Sequence, residues 1–240
     1  MSRGSREHIL KWTDRADFYA GFLRMLDIPE CARADNPYWM PRGHASPGEA
    51  RLDLCGARLL PSASCWDKLA AWWLAYRPGA NTPNWDLAVS CRIKGRNGLV
   101  LVEAKAHEGE LDWEGKRLKK DASDHSISNH ARIGHAIKQA SDALSAAIPG
   151  VALSRDSHYQ LANRIAHGWK LAALNVPVIL VYLGFTGDNA VGSPLKDGSH
   201  WESLMKEYLA GVVPQAFVDR WIPCGDAEMR MVVRSRPARG

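Results

Sequence analysis

The sequence predicts an α/β domain with a mixed central β-sheet flanked by helices, and three observations carry that prediction. Two apolar runs rich in β-branched residues, WDLAVSCRI and LVLVEAKA, are joined by KGRNG, whose Asn-Gly pair signals a tight hairpin turn. Residues 158–174, HYQLANRIAHGWKLAAL, carry Leu161, Ile165, Trp169 and Ala172 at the spacing of one helix face. The unbroken apolar run Asn175–Phe185, NVPVILVYLGF, then reads as a buried parallel strand, so that strand, helix and strand form a crossover unit.

In chain order, residues 5–27 predict a helix through Ile9, Leu10, Phe18, Phe22, Leu23 and Leu26, and Pro29–Pro47 reads as loop. Ser64 as a cap, with Asp67 three residues on, starts a helix that runs through about Tyr76 and is stopped by Pro78. Trp66, Trp72 and Trp73 on this apolar helix are expected to pack the core. Asn129–Ile148 predicts a further helix, ended by Pro149-Gly150, with His130, His135 and Lys138 partly exposed and Arg132 and His135 on its surface. Residues 199–240 offer one or two helices around Trp201–Leu209, the strand EMRMVVRS, and a basic tail, RSRPARG, with the composition of a disordered segment that attracts phosphate nonspecifically. The expected organisation is a single domain with its core at about residues 64–185, an N-terminal helical extension over 1–60 and a C-terminal appendage over 186–240.

The chain has 240 residues, 46% of them hydrophobic, which is enough to bury a substantial interior. A net charge of +5 and a pI near 9.0 favour a polyanionic partner, though the excess is modest. Its distribution is more informative: Lys116, Arg117, Lys119 and Lys120 cluster in His107–His130, where they would grip backbone phosphates. The bland reading of that cluster is a solvated loop. Five cysteines, Cys31, Cys55, Cys65, Cys91 and Cys224, lack C-x-x-C spacing and suggest neither a disulfide framework nor a zinc site. The opening residues MSRGSREHILKWTDR lack the apolar core of a signal peptide and no run reaches membrane-spanning length, so a reducing, cytoplasmic setting is expected.

Chemistry concentrates in residues 81–107, NTPNWDLAVSCRIKGRNGLVLVEAKAH. Asp86 opens the first run, and Glu103 and Lys105 close the second. A turn centred near Arg96 sets Asp86 opposite the region Glu103–His107, within one or two residues of register. Side-chain alternation puts Leu99, Leu101, Glu103 and Lys105 on one face and Val100, Val102 and Ala104 on the other. Charged residues that follow buried aliphatics are costly unless partnered by a cation, an anion or each other. The competing reading is a strand that leaves the core with its charges solvated.

This arrangement resembles the PD-(D/E)XK, or restriction endonuclease-like, nuclease superfamily, in which an Asp opens one strand and an acidic residue, any residue and a Lys close the next. The match is PNWD followed by EAK, over roughly residues 64–185. Asn84 and Trp85 separate Pro83 from Asp86, where the short form of the motif has Pro beside Asp. The resemblance implies a restriction endonuclease-like core and a metal-dependent nuclease that hydrolyses phosphodiester bonds, most simply a DNA endonuclease of restriction, repair or defence type. It implies Asp86, Glu103 and Lys105 as catalytic residues, and Asp86, Glu103 and the carbonyl of Ala104 as ligands of Mg²⁺, with Mn²⁺ as a substitute. Several branches carry a Gln in the following helix, with a further polar residue, often Tyr, four positions on; Gln160 and Arg164 are similar, with Arg in place of Tyr. Arg164, Lys116 and Lys119 form the expected substrate-binding set, and His167 is expected at the surface. Some members add an acid from the first core helix or just before it, for which Asp67 is the positional candidate and Glu49 the weaker one; capping is the preferred account of Asp67.

The residue types suit the chemistry. Phosphodiester hydrolysis needs an activated water and neutralisation of phosphoryl charge, which hard divalent ions supply, and Mg²⁺ needs only one or two carboxylates beside its own waters. Lys105 could orient or deprotonate the water, or act as a fixed charge, and the sequence leaves that choice open. Two further readings use the same residues: a nucleic-acid-binding module of this fold that does not cut, and an enzyme that uses the carboxylates and Lys105 for another metal-assisted hydrolysis. Double-strand cleavage by one site per chain would ask for a homodimer or two nicks.

Overall fold

A computed structural model describes residues 4–80 and 82–239. Met1–Arg3 of the opening segment, Asn81 at the head of the motif stretch and the terminal Gly240 lie outside the described residues. Helices α1 (Ser5–Thr13) and α2 (Phe18–Leu26) precede short strands β1 (Cys31–Arg33) and β2 (Trp39–Met40), then α3 (Leu52–Leu59) and α4 (Ala63–Trp73). The hairpin β3 (Leu87–Ile93) and β4 (Arg96–Lys105) follows, then α5 (Asp124–Ala147), α6 (Tyr159–Ala173), β5 (Val178–Thr186), α7 (Gly198–Leu209), β6 (Trp221–Pro223) and β7 (Glu228–Pro237).

All seven strands join one mixed sheet in the order β1-β3-β4-β5-β7-β6, with β2 also on β3. β3 and β4 pair antiparallel, Leu87 opposite Val102 and Ile93 opposite Arg96. The turn is Lys94-Gly95, both at positive φ (49° and 75°), the geometry that matches strand twist in a two-residue hairpin. The turn expected near Arg96 from the Asn-Gly signal is thus displaced, because Lys94 takes a left-handed conformation that its residue type does not advertise. Gly98 serves packing instead: a Cβ there would lie 2.7 Å from Ile93 Cδ1 and 2.9 Å from the Pro177 carbonyl oxygen.

β5 runs parallel to β4, with Lys105 opposite Gly184, and all nine of its residues are buried, as its unbroken apolar run demands. The alternation read from β4 holds. Leu99 and Leu101 face a core built with α3 to α7, while Val100, Val102 and Ala104 face a second core under α1 and α2.

Several boundaries depart from expectation. The predicted helix over 5–27 is two helices, because Thr13 and Asp14 turn to hold a distant loop: Gly43 N–H donates to Thr13 Oγ1 at 3.0 Å and His44 N–H to Asp14 Oδ1 at 3.0 Å. Pro29–Pro47 is not all loop, since β1 and β2 pair with β3 there. Ser64 lies inside α4, whose N-cap is Ser62, and Asp67 pairs with Arg77 instead of supporting a cap. α5 begins at Asp124, where Ser123 accepts from Ser126 N–H, five residues before the expected start. Residues 186–239 are integral to the sheet and not an appendage: β7 pairs parallel with β5 from Val178↔Met229 to Thr186↔Pro237, so Arg234 and Arg236 of the basic tail are strand residues. No helix among the described residues is long and apolar enough to cross a membrane, and all five cysteines are free and buried.

Candidate active site

The end of the hairpin builds the site. Leu99 N–H donates to the Pro177 carbonyl at 2.9 Å, so odd-numbered residues of β4 bond toward β5 and even-numbered ones toward β3. β3 begins only at Leu87, and the N–H and C=O of Ala104 therefore open past its end. The Asp86 carboxylate fills that gap, its Oδ2 accepting Ala104 N–H at 2.7 Å. With Leu87 opposite Val102, Asp86 falls beside Glu103.

The residues before Asp86 explain the lengthened motif. Trp85 and Ala50 exchange two backbone hydrogen bonds, each 2.9 Å, and the antiparallel bridge sets Glu49 next to Asp86. Asn84 Nδ2 donates to Glu49 Oε2 at 3.1 Å. The Trp85 ring is fully buried and carries the Arg164 guanidinium 4.7 Å from its centroid. Asn84 and Trp85 thus place one acid and support one base.

Glu103 and Lys105 are 3% and 4% exposed, so the strand does not leave the core at this point. Glu103 Oε1 accepts from Lys105 Nζ at 2.7 Å, and its Oε2 accepts from Arg164 Nε at 2.7 Å. Lys105 Nζ also donates to Gln160 Oε1 at 2.9 Å, and Arg164 Nη1 to Asn163 Oδ1 at 3.0 Å. Gln160, Asn163 and Arg164 sit three and four residues apart and share one face of α6. Removing a charge from water costs several kcal/mol per ion, and here Glu103 and the two cations paired with it offset much of that cost for one another.

The two acids are not equivalent. Burial pushes the Glu103 carboxyl up, but the adjoining Arg164 and Lys105 outweigh it and hold Glu103 below the usual carboxylate range. Asp86 is pushed up to about 7 by burial and then by the charge of Glu103, with only partial relief from the Ala104 N–H. One acid is therefore ionised throughout the neutral range, and the other is poised within it.

A cleft of about 400 Å³ opens over these groups, lined by Glu49, Asp86, Glu103, Gln160, Asn163 and Arg164. The structure thus brings together Asp86, Glu103, Ala104, Lys105, Gln160 and Arg164. Lys116 stands one step away, its Nζ 4.9 Å from the ring centroid of Tyr159, another lining residue. Lys119 is exposed on the loop beyond. Arg164 is not an open fork for phosphate, because Nε and Nη1 already serve Glu103 and Asn163. Asp67 lies outside the cleft on an exposed pair with Arg77, whereas Glu49, the weaker sequence candidate, lines it.

His167 departs furthest from expectation. It is 1% exposed, its ring centroid lies 4.2 Å from that of Trp73, and its Nδ1 is 2.8 Å from the Asn163 carbonyl oxygen. Burial drives its pKa down to about 3, so it is neutral. The polar face of α6 points inward, and sequence periodicity marked the face without its direction. Asn84, Trp85 and Tyr159 were not singled out as site residues; the two-residue interval between Pro83 and Asp86 was the available signal for the first two.

Among the described residues, no three His, Cys, Asp or Glu side chains are gathered as a metal-binding group. The groups at Asp86 suited to a metal are all oxygen: its own carboxylate, that of Glu103 and the carbonyl of Ala104, which lies past the end of β3. Such a set suits a hard divalent ion that keeps several waters, and a cation there would favour the ionised form of Asp86 that burial and then the charge of Glu103 disfavour. No protein-family model matches this chain, and no curated protein or solved structure is detectably similar to it.

Proposed function

We propose that this protein is a metal-dependent nuclease of restriction endonuclease-like fold, a DNA endonuclease in its simplest form, with Asp86, Glu103, Lys105 and Gln160 as its catalytic groups. The observation that carries the reading is the convergence of Asp86 and Glu103 on one strand end, with the Lys105 amine 2.7 Å from Glu103, at the floor of a cleft. Asp86, Glu103 and the Ala104 carbonyl would hold Mg²⁺ or Mn²⁺, which supplies an acidified water and neutralises phosphoryl charge when bound.

The chain's own groups do the rest. An ammonium has three donors, and Lys105 spends two on Glu103 and Gln160, leaving one for the attacking water or a phosphoryl oxygen. Gln160 fixes the rotamer of Lys105, and Arg164 keeps Glu103 ionised. Asp86, at about 7 without a metal, would give up its proton as the ion binds and so make metal binding stronger as pH rises through neutrality. The net charge of +5 favours approach of a polyanion.

The second reading, a nucleic-acid-binding module that does not cut, is favoured by one observation: both Glu103 oxygens are already bonded to cations. The test is incubation with plasmid, linear and single-stranded DNA and with RNA, with and without Mg²⁺ or Mn²⁺. Metal-dependent cutting that disappears in Asp86→Asn, Glu103→Gln and Lys105→Ala supports the nuclease. Cutting that survives in all three removes it, and binding without cutting under either metal selects the second reading.

A further inference from the structure

Resting on the reading of the cleft as a phosphodiester site, we propose that its substrate is a single nucleic-acid strand, led through the cleft along a track with an arginine side and a lysine side. Depth is the first argument. Glu103 and Lys105 are 3% and 4% exposed, so the ester must descend into the recess. Duplex DNA is stiff over about 150 base pairs and is costly to deform locally, whereas a single strand bends into a recess freely.

The second argument is continuity. Glu49 and Asn84 line both the active cleft and an adjoining hollow of about 370 Å³ that includes Tyr38, together with Arg6, which sets one Nη on the Pro47 carbonyl, and Arg51, whose Nε and Nη2 are paired with Asp53. Where α6 begins, Tyr159, another residue of the cleft wall, carries Lys116, which lines a third hollow of about 500 Å³ with Trp113, Arg117 and His130. Backbone bonds hold that loop against the start of α6: His158 N–H to the Trp113 carbonyl at 3.1 Å, Tyr159 N–H to that of Glu114 at 2.8 Å, and Lys116 N–H to that of Arg155 at 2.8 Å.

The third argument is chemistry. Trp113 is 45% exposed and is braced edge-on by Tyr208 and His158, each with its ring centroid 5.1 Å away, which leaves indole surface open to a base. Nearby acids Glu114 and Asp156 pair with Arg117 and Arg155, and among the described residues no ion pair engages Lys116, Lys119 or Lys120. Aromatic surface interleaved with unpaired lysines suits a single strand, whose bases stack while its phosphates meet the amines.

The test is fluorescence anisotropy with the whole protein in EDTA, using single-stranded DNA, single-stranded RNA and duplex DNA of one sequence. Single strands bind more tightly than duplex by about tenfold or more, the effect of one stacked base, and the DNA and RNA arms identify the sugar preferred. Trp113→Ala weakens single-strand binding about 5- to 150-fold, and Trp113→Phe keeps most of it. Lys119→Ala lowers the salt dependence of the logarithm of affinity by about 0.7. Equal or tighter duplex binding, no binding, or an unchanged affinity in Trp113→Ala overturns the proposal. Single-strand binding without metal-dependent cutting supports the track and removes the nuclease, while cutting with duplex preference does the reverse.

Discussion

Arg164 Nε lies 2.7 Å from Glu103 Oε2, on the oxygen that Lys105 leaves free, so a single buried carboxylate is held between two cations from different elements. Arg164→Ala leaves Glu103 with one partner and a vacated space beside Trp85. Breaking a buried pair from one side costs about 3–5 kcal/mol, and urea denaturation should find a loss of that size. A loss under 1 kcal/mol would mean that water already screens the pair.

Asp86 gives stability an unusual pH dependence. Its folded pKa, about 7, lies above the ordinary 3.8, so the folded chain holds a proton that the unfolded chain has released. Its contribution is complete below about pH 4 and is lost as pH rises to 7. The melting temperature of the protein relative to Asp86→Asn should fall over that window, and added Mg²⁺ should counter the fall by favouring the ionised form. A flat difference would place Asp86 in contact with water.

His167 acts with the opposite sign. Its folded pKa, about 3, lies below the ordinary 6.5, so its contribution is present above 6.5 and is lost as pH falls toward 3. His167→Gln should flatten the acid limb of the stability profile and leave the neutral region nearly unchanged. An unaltered acid limb would contradict the burial described for this ring.

Glu49 and Asp67 can be separated by metal titration. Glu49→Gln, on the cleft beside Asp86, should raise the Mg²⁺ concentration needed for half-maximal cutting several-fold, while Asp67→Asn should leave it unchanged. Identical curves for both variants and the parent would remove Glu49 from the site.

Gly184 is opposite Lys105 on β5, and a Cβ there would lie 2.7 Å from the buried Trp201 ring. Gly184→Ala overpacks this contact and should cost about 1–3 kcal/mol, read by thermal melting.

Much of this was legible in the sequence, for identifiable reasons. Alternation along β4 foretold which residues share a face, because a strand has a period that packing cannot change. The nearness of Asp86 to Glu103 followed from hairpin counting, although the turn sits at Lys94-Gly95. The inward direction of His167 was not legible: period 3.6 identifies a face, and only tertiary packing decides what the face meets. The same limit hid β7, since EMRMVVRS predicted a strand but not its place beside β5. Glu49 depends on the bridge between Ala50 and Trp85, a contact between distant segments that no local pattern records.

The hairpin that unites the two acids closes over a two-residue turn, whereas Arg164 reaches Glu103 across 61 positions of chain. Short loops cost less entropy to close, so nearby partners meet before remote ones in a folding polypeptide. The hairpin alone thus sets the two carboxylates side by side, while the Gln160 and Arg164 contacts that enclose them come from α6. Shape in this centre is a local property of one hairpin, and its electrostatic tuning is a long-range one.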